Sequence, residues 1–500
     1  MNHKSKLIPG LIGVVVTTAL IGGCSRSPGA CDPQSADAAA AAAFAGTLRN
    51  KVNVDAMMKH LQKLQEIADA NGDNRAVGTR GYDASVEYVA DTLRSHGFDV
   101  QTPEFVARVF KSEKGSVSLG DKTLEARALQ FSLGTPADGV SGPLVAAPTG
   151  DKPGCAASDY DGLPAQGAVV LVDRGSCPFK EKMAVAVERG AVAIVIADNV
   201  DEEKMGGTLG EATEVKVPVA SVTKADGATL RAGHGTATLK LDAHTDNIPF
   251  RDVVAQTKTG STENVVMLGA HLDSVPEGPG INDNGSGVAA VLETAVQLGD
   301  SPEVHNAVRF GFWGAEELGL IGSTKYVETL DADALTNIAL YMNFDMLASP
   351  NPGYFTYDGD QSLPADKRGQ PVVPEGSAGI ERTFVAYLKS AGRTAQDSSF
   401  DGRSDYDAFT QAGIPSGGLF SGAEVKKTVE EAKLWGGDAD QPFDPNYHQK
   451  GDTIEHIDRD ELGVNGGGVA YAAGLYAQDL SGRNGVPVRE DRTRHVVTKP

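Results

Sequence analysis

Apolar residues at Val54, Met57, Met58, Leu61, Leu64 and Ile67 recur every three or four positions, the spacing of one helix face. A polar loop over 71–80 follows. Val86, Val89 and Leu93 then mark a second helix, which stops at Gly97. Residues 98–110 read as strand. Between about 112 and 241 the texture changes to short β-like runs at 168–172, 191–196 and 217–222, with one helix candidate at 179–189. From about 247 the order becomes strand, loop, helix. Apolar strands are expected at 265–269, 307–313 and 338–344, and helices at 288–298, 322–330 and 380–391. Continuous apolar strands alternating with helices predict the α/β class, a mixed sheet covered by helices on both faces. The first two helices are assigned to this sheet, which makes the β-rich stretch an insertion. Gly466-Gly467-Gly468, after Asn465, reads as a helix start.

The chain has 500 residues, more than one ordinary domain holds, so two are expected. Its net charge of −22 disfavours nucleic acid and anionic lipid head groups as partners. Lys4 and Lys6 precede an apolar run over 7–23, about the size of a signal-peptide core and short for a membrane span. The run ends Leu20-Ile21-Gly22-Gly23-Cys24, which resembles a bacterial lipobox. Residues 1–23 are then a lipoprotein signal peptide and Cys24 carries the lipid. The chain is expected to be exported and anchored by that lipid to the outer face of the cell membrane. Residues 24–50, rich in Ser, Pro, Asp and Ala, read as a tether, and the charged tail 483–500 as disordered. Cys155 and Cys177 are expected to pair in an exported protein. Cys31 has no evident partner.

The chemistry-bearing residues gather at strand ends. His271 and Asp273 follow one expected strand, Glu316 and Glu317 the next, and Asp345 the third. Asp283 sits in the Gly-rich loop before a helix, and Tyr447-His448 comes from a later loop. In open α/β sheets, sites form beyond the carboxyl ends of the strands. Histidines with several carboxylates, and no thiol nearby, suit zinc. Taken singly, an adjacent Glu-Glu is usually a solvated turn and a lone Tyr-His is usually packing or surface. Their common placement is the stronger signal.

The stretches AHLDS…GINDNGSG, FWGAEELGLIGS, NFDM, GRSDYDAF and YHQKGDT together resemble the co-catalytic di-zinc aminopeptidases of the leucyl aminopeptidase and aminopeptidase Y type, over about residues 50–480. GAVVLVDRGSCPFKEKMAVAVERGAVAIVIADN resembles a protease-associated (PA) domain. The resemblance implies a zinc exopeptidase fold over 51–111 and 246–482, with a mostly β PA domain inserted at 112–245. It implies two zinc ions per chain. His271 and Asp345 bind one, Glu317 and His448 the other, and Asp283 bridges them. Asp273 orients His271, and Glu316 is the general base acting on a water held between the metals. Tyr447, Arg403 and Phe420 line the substrate site, and the peptide bond Asp283–Asn284 is cis. Some relatives have a cysteine where this chain has Asn446, so a disulfide found in them is missing here.

The expected reaction is removal of N-terminal residues, large apolar ones from the character of Phe420, by a monomer acting on peptides. A carboxypeptidase or dipeptidase on the same scaffold remains open. It would need several basic residues at the site, and only Arg403 lies near a motif. A metal-free binding protein would have lost ligands, which this chain keeps.

Overall fold

The structure, a computed structural model, describes residues 33–150, 153–201, 206–364, 373–482 and 485–497. Cys24 and Cys31, and with them the signal peptide and lipidation site, lie outside the described residues.

Among the described residues the larger sheet has eight strands, in the order Asp99–Gln101, Val253–Gln256, Asn306–Trp313, Ser261–His271, Ile338–Phe344, Ser416–Phe420, Phe355–Tyr357 and Gln396–Ser398. The four central strands run parallel, and antiparallel neighbours flank them. Successive side chains of a strand point to opposite faces. Val266 and Leu268 accordingly pack into one hydrophobic layer, and Met267 between them packs into the other. The first layer is covered by Val54–Ala70, Arg80–Ser95, Gly287–Leu298 and Arg459–Gln478. Both early helices start on capping side chains: Asn53 and Thr79 accept from the backbone N–H groups of Ala56 and Tyr82, a bond worth about 1 kcal/mol in such positions. The second layer is covered by Ile321–Glu328, Ala332–Asn337 and Tyr406–Gln411.

The β-rich stretch is a closed barrel of seven strands running from Gly115–Leu119 to Thr236–Lys240. The helices Phe179–Glu188 and Lys224–Ala232 accompany it, and Cys155 and Cys177 are joined by a disulfide. A two-stranded antiparallel ribbon, Glu104–Ser112 with Ala243–Arg251, connects the barrel to the large sheet. The stretch 98–110, read as one strand, is two, divided at Thr102-Pro103.

Three expectations are corrected. The segment 24–50 is not extended tether throughout. A helix, Pro33–Lys51, occupies its second half and buries Ala41, Ala45 and Leu48. Gly466-Gly467-Gly468 do not start a helix but lie inside Arg459–Gln478. A Cβ on them would come within 2.4 Å of Met57, 2.4 Å of the Tyr387 hydroxyl and 2.7 Å of Leu419, so the glycines make room for close packing of the helix. The tail is ordered over 485–497. The Arg492 guanidinium donates to the carbonyls of Glu263 and Thr336, and that of Arg494 to the carbonyl of Ile338.

Candidate metal centre and substrate cavity

The four parallel strands end side by side, and each delivers its chemistry to one edge. His271 is the last residue of Ser261–His271, and Phe420 the last of Ser416–Phe420. Glu316 and Glu317 follow Asn306–Trp313 by three and four positions, and Asp345 directly follows Ile338–Phe344. Asp283 lies in the irregular helical turn Ile281–Ser286 that runs into Gly287–Leu298, and its peptide bond to Asn284 is cis. Gly280, at φ 63°, opens this turn. A Cβ there would sit 2.4 Å from the Asp283 carbonyl oxygen, and only glycine takes that conformation without cost.

The side chains converge. The two carboxylate oxygens of Asp283 point to different histidines: Oδ1 is 3.2 Å from His271 Nε2 and Oδ2 is 3.2 Å from His448 Nε2. Asp345 Oδ1 lies 3.3 Å from His271 Nε2, and Glu317 Oε2 lies 3.1 Å from His448 Nε2. Two groups of three, His271–Asp283–Asp345 and Asp283–Glu317–His448, each have their ligand atoms within 4.8 Å of one another and share Asp283. Glu316 stands further off, 4.0 Å from His271, although His271, Glu316 and Glu317 also fall within the same limit. Adjacent acids thus turn to different histidines. Asp273 is fully buried and accepts from the backbone N–H of both Glu316 and Glu317, at 3.2 and 3.3 Å. Its carboxylate is also 3.6 Å from His271 Nδ1.

Electrostatics show what the cluster selects. Burial pushes the Glu316 carboxyl well above its ordinary value, and raises Glu317, beside the Asp283 charge, to about 7. Burial works against charge on His448 too, but its bonds to Asp283 and Glu317 prevail and raise it to about 10. His271 is raised in the same way, its burial outweighed by Asp345 and Glu316. Burial disfavours the Asp283 anion, yet bonds to both histidines hold its carboxyl well below the usual range. One further atom, Glu317 Oε1, is buried without a hydrogen-bond partner. Two imidazoles, several carboxylates and an unmatched acceptor fit zinc-like cations, which accept nitrogen and oxygen ligands and displace protons from them.

Several supporting residues were given no role from the sequence, although Ser404 and Asp452 lie within the stretches GRSDYDAF and YHQKGDT. Asp452 accepts from the backbone N–H of Asn282 and Asp283, at 2.7 and 3.0 Å, and so ties the His448 loop to the Asp283 turn. Ser404 Oγ donates to Asp345 Oδ2 at 2.6 Å and accepts from Asn343 Nδ2 at 2.8 Å. Arg75, wholly buried, donates to the carbonyls of Leu272, Pro279 and Gly280. It clamps the loop between His271 and Asp283 from the far N-terminal end of the fold.

Beside the cluster lies a cavity of about 400 Å³. Glu316, Asp345 and His448 line one side, and Phe420, Tyr357 and Met346 give it an apolar wall. Tyr447 stacks on His448 with ring centroids 3.8 Å apart. Arg403 Nη2 lies 3.3 Å from the Tyr447 hydroxyl, while Arg403 Nη1 pairs with Glu424 at 2.9 Å. Arg403 is thus neutralised by a neighbour.

An α/β sheet with acids and histidines at its parallel strand ends, gathered round a shared aspartate, defines a hydrolase scaffold of the metallopeptidase class. Residues 252–473 match the family model Peptidase family M28, and residues 140–230 match the PA domain. The protein named "Probable lipoprotein aminopeptidase LpqL" of Mycobacterium tuberculosis is 71% identical over the whole of both chains. "Leucine aminopeptidase 2" of Arthroderma otae is 41% identical, covering 88% of this chain and 87% of its own. Among solved structures, "Aminopeptidase from Aneurinibacillus sp. strain AM-1" superposes with a TM-score of 0.61 at 25% identity, covering 86% of this chain and 95% of its own. A zinc aminopeptidase from Bacillus subtilis gives 0.52 at 26% identity, covering 84% and 94%. The chain belongs to peptidase family M28 and carries a PA domain.

Proposed function

We propose that this protein is a zinc-dependent aminopeptidase that removes large apolar N-terminal residues from peptides. The observation that carries the reading is Asp283, whose two oxygens each face a different histidine at 3.2 Å. His271 and Asp345 would hold one ion and Glu317 and His448 the other, with Asp283 available to both. Zinc, when bound, supplies Lewis acidity and lowers the pKa of water. The residues do the rest. Glu316 faces the cavity and is the group held furthest from the histidines. It takes the proton of the attacking water and passes it to the leaving amine. Burial makes it more basic than an ordinary glutamate, the direction a general base needs. The Tyr447 hydroxyl, steadied by Arg403, donates to the developing oxyanion. Asp273 keeps Glu316 and Glu317 apart and His271 in register.

The cavity supports an aminopeptidase over a carboxypeptidase. Among the described residues, the one arginine of its lining is paired with Glu424, which weakens the case for a site that reads a substrate carboxylate. The acids there suit an ammonium group, and Phe420, Tyr357 and Met346 suit a leucine-sized side chain. Leucine p-nitroanilide is expected to be hydrolysed, and N-acetyl-leucine p-nitroanilide not. Equal turnover of the two, or release of C-terminal residues from N-blocked peptides, overturns this assignment.

The chain is further proposed to act as a monomer, exported and held at the outer face of the cell membrane by lipid on Cys24. A Cys24→Ser variant should leave the membrane fraction and no longer partition into detergent. Wild-type protein that is already fully soluble after export would contradict the anchor.

A further inference from the structure

A second crevice, of about 210 Å³, lies where the barrel meets the catalytic sheet. One wall is the barrel: Lys180 and the turn Gly210 to Thr213. The other wall is the helix Ile321–Glu328, through Ile321, Thr324 and Glu328. Gly319 lines both this crevice and the substrate cavity. It stands two residues after Glu317, at φ 108° and with nothing within 4 Å of where a Cβ would be. The two spaces therefore meet at a residue with no side chain, two positions from Glu317.

The barrel wall is held in place. The Gly210 N–H donates to Thr208 Oγ1 at 3.0 Å, and Thr213 Oγ1 donates to the Leu209 carbonyl at 2.5 Å. The Arg108 guanidinium, from the connecting ribbon, donates to the Glu211 carbonyl. Each wall brings one lysine and one glutamate, Lys180 with Glu211 and Lys325 with Glu328, so the rim is close to neutral. Ile321 and Ala212 add apolar surface.

We propose that this crevice binds the part of a peptide substrate that follows the scissile bond. The inference rests on the aminopeptidase reading above. In that reading the N-terminal side chain fills the apolar end of the first cavity and the scissile carbonyl sits near Glu316. The rest of the peptide must leave by an open side, and the side at Gly319 borders the second crevice, which has a wall on either hand. The eight residues of Ile321–Glu328 rise about 10 Å along the helix, the length of about three extended residues. A near-neutral rim with an apolar residue on each wall suits the backbone of many sequences rather than one charged side chain. The barrel is on this view part of the substrate site, and it sets a preference for length.

The test compares leucinamide with a pentapeptide amide, Leu-Gly-Gly-Gly-Gly-NH2, on the zinc-loaded full chain. The wild type is expected to show a KM for the pentapeptide at least about tenfold below that for leucinamide. Ala212→Trp, at an exposed position on the barrel wall, should fill the crevice and erase most of that ratio. It should raise the pentapeptide KM far more than it changes leucinamide kinetics, and leucinamide turnover by the variant itself reports that it has folded. A wild type that cleaves both substrates with equal KM, or a variant that keeps the ratio, overturns the inference alone. A wild type that cleaves neither overturns the aminopeptidase reading and the inference with it.

Discussion

Glu316→Gln is expected to lower kcat by a factor on the order of 10²–10⁴ while both zinc ions and the fold remain. Glutamine has nearly the shape of glutamate, so packing is preserved at a site that is 9% exposed. Its amide cannot accept the water's proton, and that alone is removed. Asp273 binds the backbone N–H of residue 316, not its side chain, so the turn that presents Glu317 stays in place. KM should change little, because the interaction lost is made only in the transition state. Zinc per chain, the melting temperature and kcat on leucine p-nitroanilide are measured together. Near-normal turnover removes Glu316 from the role of base. Loss of one zinc with loss of activity makes it a ligand instead, an arrangement that its 4.0 Å separation from His271 does not forbid.

Where the sequence could be read and where it could not divides along physical lines. Runs such as Val265 to Gly269 and Ile338 to Phe344 are apolar on both faces, so they announce a buried parallel strand on their own. The chemistry that follows such a strand is then placed by a general rule of sheet topology, and the convergence of His271, Glu317 and Asp345 needs no further information. The strand Ser416–Phe420 was missed because two of its five residues are glycine, which weakens any strand signal. Closure of the barrel depends on pairings between distant segments, such as Val140–Ala146 with Thr236–Lys240, and no local pattern encodes those. Pro33–Lys51 is rich in alanine and lacks a strongly apolar face, so it resembled a linker. It becomes a helix by packing against Arg459–Gln478, whose Gly474 would bring a Cβ to 2.9 Å from the Ala45 backbone.

The roles of the supporting residues were not legible for a related reason. Arg75, Asp452 and Ser404 act through bonds to backbone groups or to another side chain. Nothing in the identity of a carbonyl or an amide marks it as a partner. Arg75 lies about two hundred positions from the loop it clamps, in a polar stretch that reads as an exposed turn. Arg403 shows the converse. Its position was legible, but its pairing with Glu424 and its hydrogen bond to the Tyr447 hydroxyl were not.

Asp283→Ala is expected to remove both zinc ions together and to bring peptidase activity below detection. Every other proposed ligand lies closest to one histidine: Asp345 is 3.3 Å from His271, and Glu317 is 3.1 Å from His448. Asp283 alone offers an oxygen to each side. Its loss leaves each ion with one histidine and one carboxylate, two protein ligands where catalytic zinc ordinarily has three. The backbone of the turn is secured separately, because Asp452 accepts the N–H of residue 283 whatever its side chain, and Asn284 still donates to the Phe344 carbonyl at 2.8 Å. The apo-like variant should therefore fold, though with a lower melting temperature, since the free energy of metal binding adds to that of folding. The control is His448→Ala, which should release one ion and retain the other. Zinc counted on dialysed protein separates the cases: two ions in the wild type, one in His448→Ala and none in Asp283→Ala. One tightly held zinc in Asp283→Ala would show that this carboxylate serves a single metal, and the shared-aspartate reading of the site would fall.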